Sequence, residues 1–325
     1  MITHSLVPGK PVQPELPTGP SCATLRTMAR EKRICSYEDS DYRTDFWEGQ
    51  GREYEDLAER IALRRLLPQG GRRLIDVGAG FGRLSEFYDR FDQVVLLDYS
   101  RSLLQEAQAR LGHDSKYVYV AASFYAMPFA PGSFDTAMMV RVMHHVEDVP
   151  SLLAEMARVL VGDGTYVLEH ANKLNLKAIL RYAFRRQDWS PFTPEPYEFV
   201  TMNFDFHPDW MRQQLDEAGF HVKRTLTTSH FRLPLLKRIF PAPFLATMDA
   251  FCQPTGALWQ LTPSVFLQSS PDKPGGEVPD RLRFQCPACS SQELIESPTA
   301  LHCQSCGRGW PVEDGILSFN EPRPA

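Results

Sequence analysis

Two groups of residues in this chain have the types and spacing to do chemistry. The first is Asp76, Gly78, Gly80 and Gly82, within Leu74 to Leu84 (LIDVGAGFGRL), with Asp98 following 20 residues after Gly78. Apolar residues running into three glycines read as a buried strand that turns into a helix. Glycine there admits positive φ and lets a ligand approach the main chain closely. A carboxylate at the tip of the next strand, VVLLDYS, can accept hydrogen bonds from both hydroxyls of a ribose. The spacing is GxGxG rather than GxGxxG, and Asp76 puts a carboxylate beside the turn. A dinucleotide needs its pyrophosphate at that helix N-terminus, where Asp76 would repel it. The ligand implied is therefore a nucleoside with a cationic or zwitterionic tail. The second group is Cys286, Cys289, Cys303 and Cys306, two CxxC pairs separated by 13 residues. Each CxxC turn sets two thiolates on one side of a knuckle, and four sulfurs make a closed, structural zinc site with no open catalytic position.

The Asp76–Asp98 pattern resembles the class I S-adenosylmethionine-dependent methyltransferases of the small-molecule type, over roughly residues 51–270. The resemblance implies a doubly wound, mostly parallel seven-stranded α/β sheet and methyl transfer by in-line displacement. It implies that Asp76, Gly78, Ala79, Gly80 and Gly82 receive the methionine and ribose, with Asp98 and Tyr99 at the sugar. The family usually carries an acidic residue five before the Pro of the segment AASFYAMPF to accept the adenine amino group. Here that Pro is Pro128 and the position is Ser123, an uncharged acceptor, with Phe124 beside it to wall the base. Arg141 completes the expected cofactor set. The leading segment often covers the methionine end, which points to Arg52 and Tyr54. The cysteine segment, ending GWPVEDGILSF, resembles the small zinc-ribbon activator subunits that pair with methyltransferases acting on tRNA and release factors.

His144 and His145 follow the fourth strand, in RVMHHVED, at the rim of the same crevice. Histidine titrates near neutrality and suits general-base work, so both are candidate catalytic residues; the alternative is that they only shape the pocket. Glu169, His170 and Asn172 end the fifth strand at that rim and carry the same two readings.

The elements that must position these groups follow from periodicity. Tyr54, Leu57, Ala58, Ile61, Ala62 and Leu66 recur at helical spacing before the first strand. From Arg73, strands alternate with helices: RRLIDVG, GRLSEFYDRF, VVLLDYS, RSLLQEAQARL, YVYVAAS, FDTAMMVRVM, VPSLLAEMARVL and TYVLEHAN. Such alternation means βαβ units and a parallel sheet. Residues 172–207, rich in aromatics and prolines, break the alternation and read as a lid over the crevice. Tyr182, Trp189, Phe192, Tyr197, Phe199 and Phe204 are the candidate substrate wall, the alternative being that they pack on each other. FRLPLLKRIFPAPFLATMDAF, punctuated by Arg232, Lys237 and Arg238, is a substrate cap or a basic amphipathic stretch for a membrane surface. LTPSVFLQSS closes the sheet as an antiparallel strand in the resembling family.

The divisions expected are a flexible, proline-rich tail over 1–35, a methyltransferase domain over 36–270, a linker over 271–282 and a zinc ribbon over 283–325. A hydrophobic content of 43% supports a real core, and a net charge of −5 exerts no pull toward nucleic acid. From Cys286 onward there are five acidic and two basic residues, which argues against phosphate contact. No apolar run approaches the ~18 residues of a membrane helix, and the N-terminus lacks a signal-peptide core, so a cytoplasmic location is expected. The acceptor is expected to be small and lipophilic, with a peripheral membrane or protein partner open. The alternatives are RNA or protein methylation with the ribbon as docking module, and a non-catalytic cofactor-binding or scaffold protein.

Overall fold

The structure is a computed structural model; it describes residues 23–26, 32–320 and 323–324. The expected tail, 1–35, lies mostly outside the described residues. Within it, Arg33–Ser36 is a strand paired antiparallel with Ala23–Arg26.

Seven strands make the central sheet: β1 (Gly71–Val77), β2 (Phe91–Asp98), β3 (Tyr117–Ala121), β4 (Phe134–Met139), β5 (Leu160–Ala171), β6 (Phe220–Thr228) and β7 (Ser264–Pro271). Their spatial order is β6-β7-β5-β4-β1-β2-β3. Strands β1 to β5 pair in parallel, and β7 runs antiparallel between β5 and β6. This is the doubly wound sheet expected. Side chains alternate across it as the pleat requires. Ile75, Val95 and Leu97 enter one core with Leu152, Met156, Met211 and Leu215, from helices α3 (Val149–Val159) and α5 (Pro208–Glu217). Leu74, Val94 and Leu96 enter the other with Leu63, Leu66, Leu104 and Ala107, from α1 (Glu53–Leu66) and α2 (Arg101–Leu111). Helices therefore cover both faces. Two of them start on a Ser or Asp cap: Ser100 caps α2 by accepting from the Leu103 amide, and Asp148 caps α3 by accepting from that of Ser151.

Two expectations change. The helix read over GRLSEFYDRF is a single 3₁₀ segment, Ser85–Arg90, because β2 begins at Phe91 and leaves too little chain for more. The fifth strand, expected over TYVLEHAN, starts earlier, at Leu160, and takes in Gly162–Gly164, where the pairing with β4 shifts register.

The linker by composition is held fast. Arg73, buried in β1, donates to the carbonyls of Pro279 and Asp280, and Lys273 donates to the Ala157 carbonyl. Beyond it, the cysteine segment contributes β8 (Leu294–Glu296), β9 (Ala300–Cys303), β10 (Arg308–Glu313) and β11 (Ile316–Ser318). Strand β11 pairs parallel with β3, so the ribbon continues the central sheet and covers an edge that would otherwise present unpaired amides. Trp310 and Phe319 enter the same core as β1 to β4.

Candidate active site

In an open parallel sheet the crevice lies where strand order reverses, outside the carboxyl ends of the strands. Here that point is between β1, which leads toward β2, and β4, which leads toward β5. The glycine bend leaves β1 and the histidine pair leaves β4.

Gly78 has φ +74°, and a Cβ there would meet Val142 Cγ2 at 2.2 Å, so no other residue fits. The Gly78 amide donates to the Leu97 carbonyl at 2.7 Å, which locks the bend onto β2. At Gly80, φ is +53° and a Cβ would meet nothing within 4 Å, so the main chain borders open space. Asp98 faces that bend: Oδ2 accepts from the Gly80 amide at 2.8 Å and Oδ1 from that of Ser100 at 2.9 Å. Burial raises its pKa to about 6, offset in part by those two amides. Asp76 is buried; its Oδ2 accepts from the Tyr88 hydroxyl at 2.5 Å, and burial raises its pKa to about 7. A carboxylate beside an open glycine cradle fits the ribose of a nucleoside, so the residues present suit S-adenosylmethionine. Ser123 Oγ accepts from the Tyr125 amide, keeping its hydroxyl proton free, and Phe124 stands beside it, buried in the core next to Tyr125.

These raised pKa values set a pH dependence. A ribose donates hydrogen bonds to Asp98, and an ammonium to Asp76, only when they are ionised, so binding lowers both pKa values and releases protons. Affinity for S-adenosylhomocysteine is expected to rise with pH between about 5 and 8, by up to about tenfold per unit between about pH 6 and 7 and more steeply below about pH 6, where both carboxyls must lose a proton. Calorimetry across that range, in buffers of different ionisation enthalpy, would reveal the proton release; a flat profile would contradict it.

The bend after β4 is fixed by buried charge. Arg141 adopts φ +64°, with its amide donating to Glu169 Oε2 at 3.0 Å. Its guanidinium pairs with Glu59, wholly buried on α1, which also takes Arg83 at 2.9 Å. Arg141 thus offers no unpaired guanidinium to a cofactor; it holds the loop. His145 is held likewise, with Nδ1 2.7 Å from the Met202 carbonyl and Nε2 3.1 Å from the Tyr37 hydroxyl. The carbonyl can only accept, so Nδ1 carries the proton and Nε2 accepts from Tyr37. His144 differs: no hydrogen bond ties its ring to another described residue. Burial, then His145, Arg141 and Arg52, hold its pKa well below the usual histidine range, so the ring is neutral at pH 7.

The other rim residues are structural. Glu169 also accepts from Ser264, His170 is buried in the sheet, and Asn172 donates to the carbonyls of Gln260 and Thr262. Tyr54 is spent on Asp249 at 2.5 Å rather than on a cofactor. In the expected lid, Trp189 stacks on Tyr197 and Tyr182 meets Phe192, while Phe204 enters the core. The segment that covers the crevice instead includes Tyr37 and Tyr42: Tyr37 meets Tyr42, Phe46 and His145, and Tyr42 meets Phe81 of the glycine bend. SYEDSDYRTDF has no periodicity to announce this.

A cavity of about 610 Å³ opens at the start of α1, between α4 (Leu176–Ala183) and the pair α6 (Pro234–Ile239) and α7 (Ala242–Cys252). Arg52, Lys177, Arg232, Lys237 and Arg238 line it with Phe240 and Leu245. Glu55 consumes Lys237 and reaches Arg232. Burial, then the neighbouring Arg141 and Arg232, depress the Arg52 pKa, and the charge of Arg52 in turn helps to lower that of His144.

The four cysteine sulfurs lie within 4.8 Å of one another, with Cys286–Cys306 at 3.7 Å and Cys289–Cys303 at 3.5 Å. A tetrahedral site with Zn–S bonds of about 2.3 Å needs S–S separations of about 3.8 Å, so the donors fit.

The doubly wound sheet, the open glycine bend and its facing carboxylate fit a class I S-adenosylmethionine-dependent methyltransferase, and likeness to known proteins supports that activity. The family described as "Methyltransferase domain" matches residues 75–168. The chain is 28% identical over 185 residues to the ubiquinone/menaquinone biosynthesis C-methyltransferase UbiE of Hahella chejuensis, covering 50% of this chain and 72% of that protein. It is 31% identical over 112 residues to the malonyl-[acyl-carrier protein] O-methyltransferase of Legionella pneumophila, covering 33% and 38%. Among solved structures, a chain from the complex between the Haloferax volcanii Trm112 methyltransferase activator and a methyltransferase is similar in fold. Its TM-score is 0.50 at 16% identity, over 72% of this chain and 98% of that one. Among the described residues, no helix is long and apolar enough to cross a membrane.

Proposed function

We propose that this methyltransferase acts on a small lipophilic acceptor carrying an ionisable group, bound in the cavity beside Arg52. The observation that carries the reading is that cavity: Arg52, Lys177, Arg232 and Arg238 around it, Phe240 and Leu245 on its walls, and in Arg52 a charge that also bears on His144. When bound, S-adenosylmethionine supplies an electrophilic methyl group. The chain supplies position and protonation state. Asp98 and the glycine bend hold the nucleoside, with Asp76 available to an ammonium. His144, neutral and unpaired, accepts the acceptor's proton, while Arg52 and Arg232 stabilise the negative charge left behind. Alignment of this kind contributes on the order of 7–11 kcal/mol at best. Quinone biosynthesis in the name of the Hahella chejuensis relative is consistent with an acidic ring hydroxyl or carbon in an apolar molecule.

The test is release of S-adenosylhomocysteine with a series of alkylated phenols and hydroquinones, beside bulk RNA and a protein extract. Turnover with the phenols, and a KM that falls as the alkyl chain lengthens, is expected. Turnover with RNA or protein alone would overturn the reading. Removing the ribbon is a poor discriminator, because it strips β11 from the sheet edge.

The four thiols are proposed to hold one structural zinc. Metal analysis should give about one zinc per chain, and a strong chelator should loosen the ribbon and red-shift emission from buried Trp310. A metal-free chain with unchanged emission would contradict this.

A further inference from the structure

The cap around the cavity carries a surface that the reaction does not use. On α4 and at its C-terminal cap, Leu176, Leu180 and Phe184 recur every four residues and are 51, 47 and 71% exposed. Lys177, Arg181 and Arg185 recur one place later, so an exposed cationic stripe flanks an exposed apolar one. On α6, Leu235 and Ile239 repeat the pattern, with Lys237 and Arg238 between them, and no residue of that helix is buried. The two helices are joined in space. Lys177 lines the same cavity as Lys237 and Arg238, and the Leu176 amide donates to the Leu261 carbonyl, which brings exposed Leu258 and Trp259 alongside.

Charge selects the occupant. From Lys173 to Gln187 there is no acidic residue; from His230 to Leu261 there is Asp249 alone, fully buried and bonded to Tyr54. Glu55, facing this cavity from α1, is consumed by Lys237, and Glu53 lies at its exposed rim. This is a cationic surface on a chain of net charge −5. A second copy of the chain would set cation against cation. Apolar stripes flanked by Lys and Arg suit the interface of an anionic bilayer. We infer that the exposed faces of α4 and α6, with Leu258 and Trp259, seat this enzyme on anionic phospholipid membranes, with the cavity mouth against the lipid. The inference stands on exposure and charge, and it gives the lipophilic-acceptor reading a route for the acceptor.

The two are tested apart, because vesicle binding is measured with neither acceptor nor methyl donor present. The full chain should sediment with phosphatidylcholine/phosphatidylglycerol vesicles, with a blue shift of Trp emission that Trp259→Phe removes. Binding should fall about tenfold or more on phosphatidylcholine alone, in Arg181→Glu/Arg185→Glu, and in Leu180→Asp/Phe184→Asp. These variants should keep the parent's melting temperature and affinity for S-adenosylhomocysteine. No vesicle binding, or binding indifferent to lipid charge and to both double variants, overturns the inference. So does a dimer abolished by Leu180→Asp/Phe184→Asp in a chain that ignores vesicles. Vesicle binding without methylation of any lipophilic acceptor would uphold this surface and sink the acceptor reading alone.

Discussion

Exchanging His144 for asparagine is expected to lower kcat about 10²–10⁴-fold, the usual range for removal of a positioned general base, while affinity for S-adenosylhomocysteine changes little. Of the two adjacent histidines, only His144 has ring nitrogens that no other described residue hydrogen-bonds, although its ring packs on that of His145 with centroids 3.9 Å apart. Its neutrality is built in: burial, His145, Arg141 and Arg52 all disfavour the imidazolium. A base must be unprotonated to act, so with the methyl donor saturating the acid limb of kcat should fall below pH 6.5 and disappear in His144→Asn. His145→Phe should differ, lowering stability by removing the bonds to Met202 and Tyr37, with a smaller change in kcat. Equal kcat for His144→Asn and the parent, on an acceptor with a dissociable proton, would remove the base from the mechanism.

Replacing Glu59 by glutamine is expected to cost about 3–5 kcal/mol of stability, roughly 6–15 °C in melting temperature. Glu59 is fully buried and neutralises two guanidiniums, those of Arg141 and Arg83. Burial works against its ionised form, but the two arginines win, and its pKa lies below the ordinary glutamate value. Without the carboxylate, Arg141 stays largely buried at φ +64° with its positive charge unmatched. The loop bearing His144 should then loosen, so kcat should drop along with stability. A thermal melt of Glu59→Gln within 2 °C of the parent would show that the pair contributes little.

What the sequence declared and what it hid divide along a physical line. Features that repeat locally were legible: the glycine bend beside Asp98, the alternating strands and helices, and the paired cysteines. Features made by residues far apart in the chain were not. The Glu59–Arg141 pair spans 82 positions and the bond from His145 to Met202 spans 57, and neither leaves a periodic trace. Arg141 reads as a cofactor contact because it follows a strand tip; its partner, on a helix facing the other side of the sheet, decides otherwise. Glu169, His170 and Asn172 sit at the end of β5, yet β7 pairs along it; Ser264 and the Gln260 and Thr262 carbonyls engage Glu169 and Asn172, and His170 Nδ1 meets only the Ala171 carbonyl. The linker composition of 271–282 promised slack chain; buried Arg73, whose role no local pattern marks, anchors it. Strand β11 is three residues long, too short to show as a strand, and its pairing with β3 depends on the whole ribbon being in place.

The central claim is that Asp98 and the open bend at Gly80 form the nucleoside site. Titration calorimetry of S-adenosylhomocysteine into the parent chain and Asp98→Asn at pH 7.5 tests it most directly. Micromolar binding by the parent, weakened at least about tenfold in a normally folded Asp98→Asn, is the expected result. A parent chain that binds no S-adenosylhomocysteine, or an Asp98→Asn that binds it as tightly, would contradict the assignment.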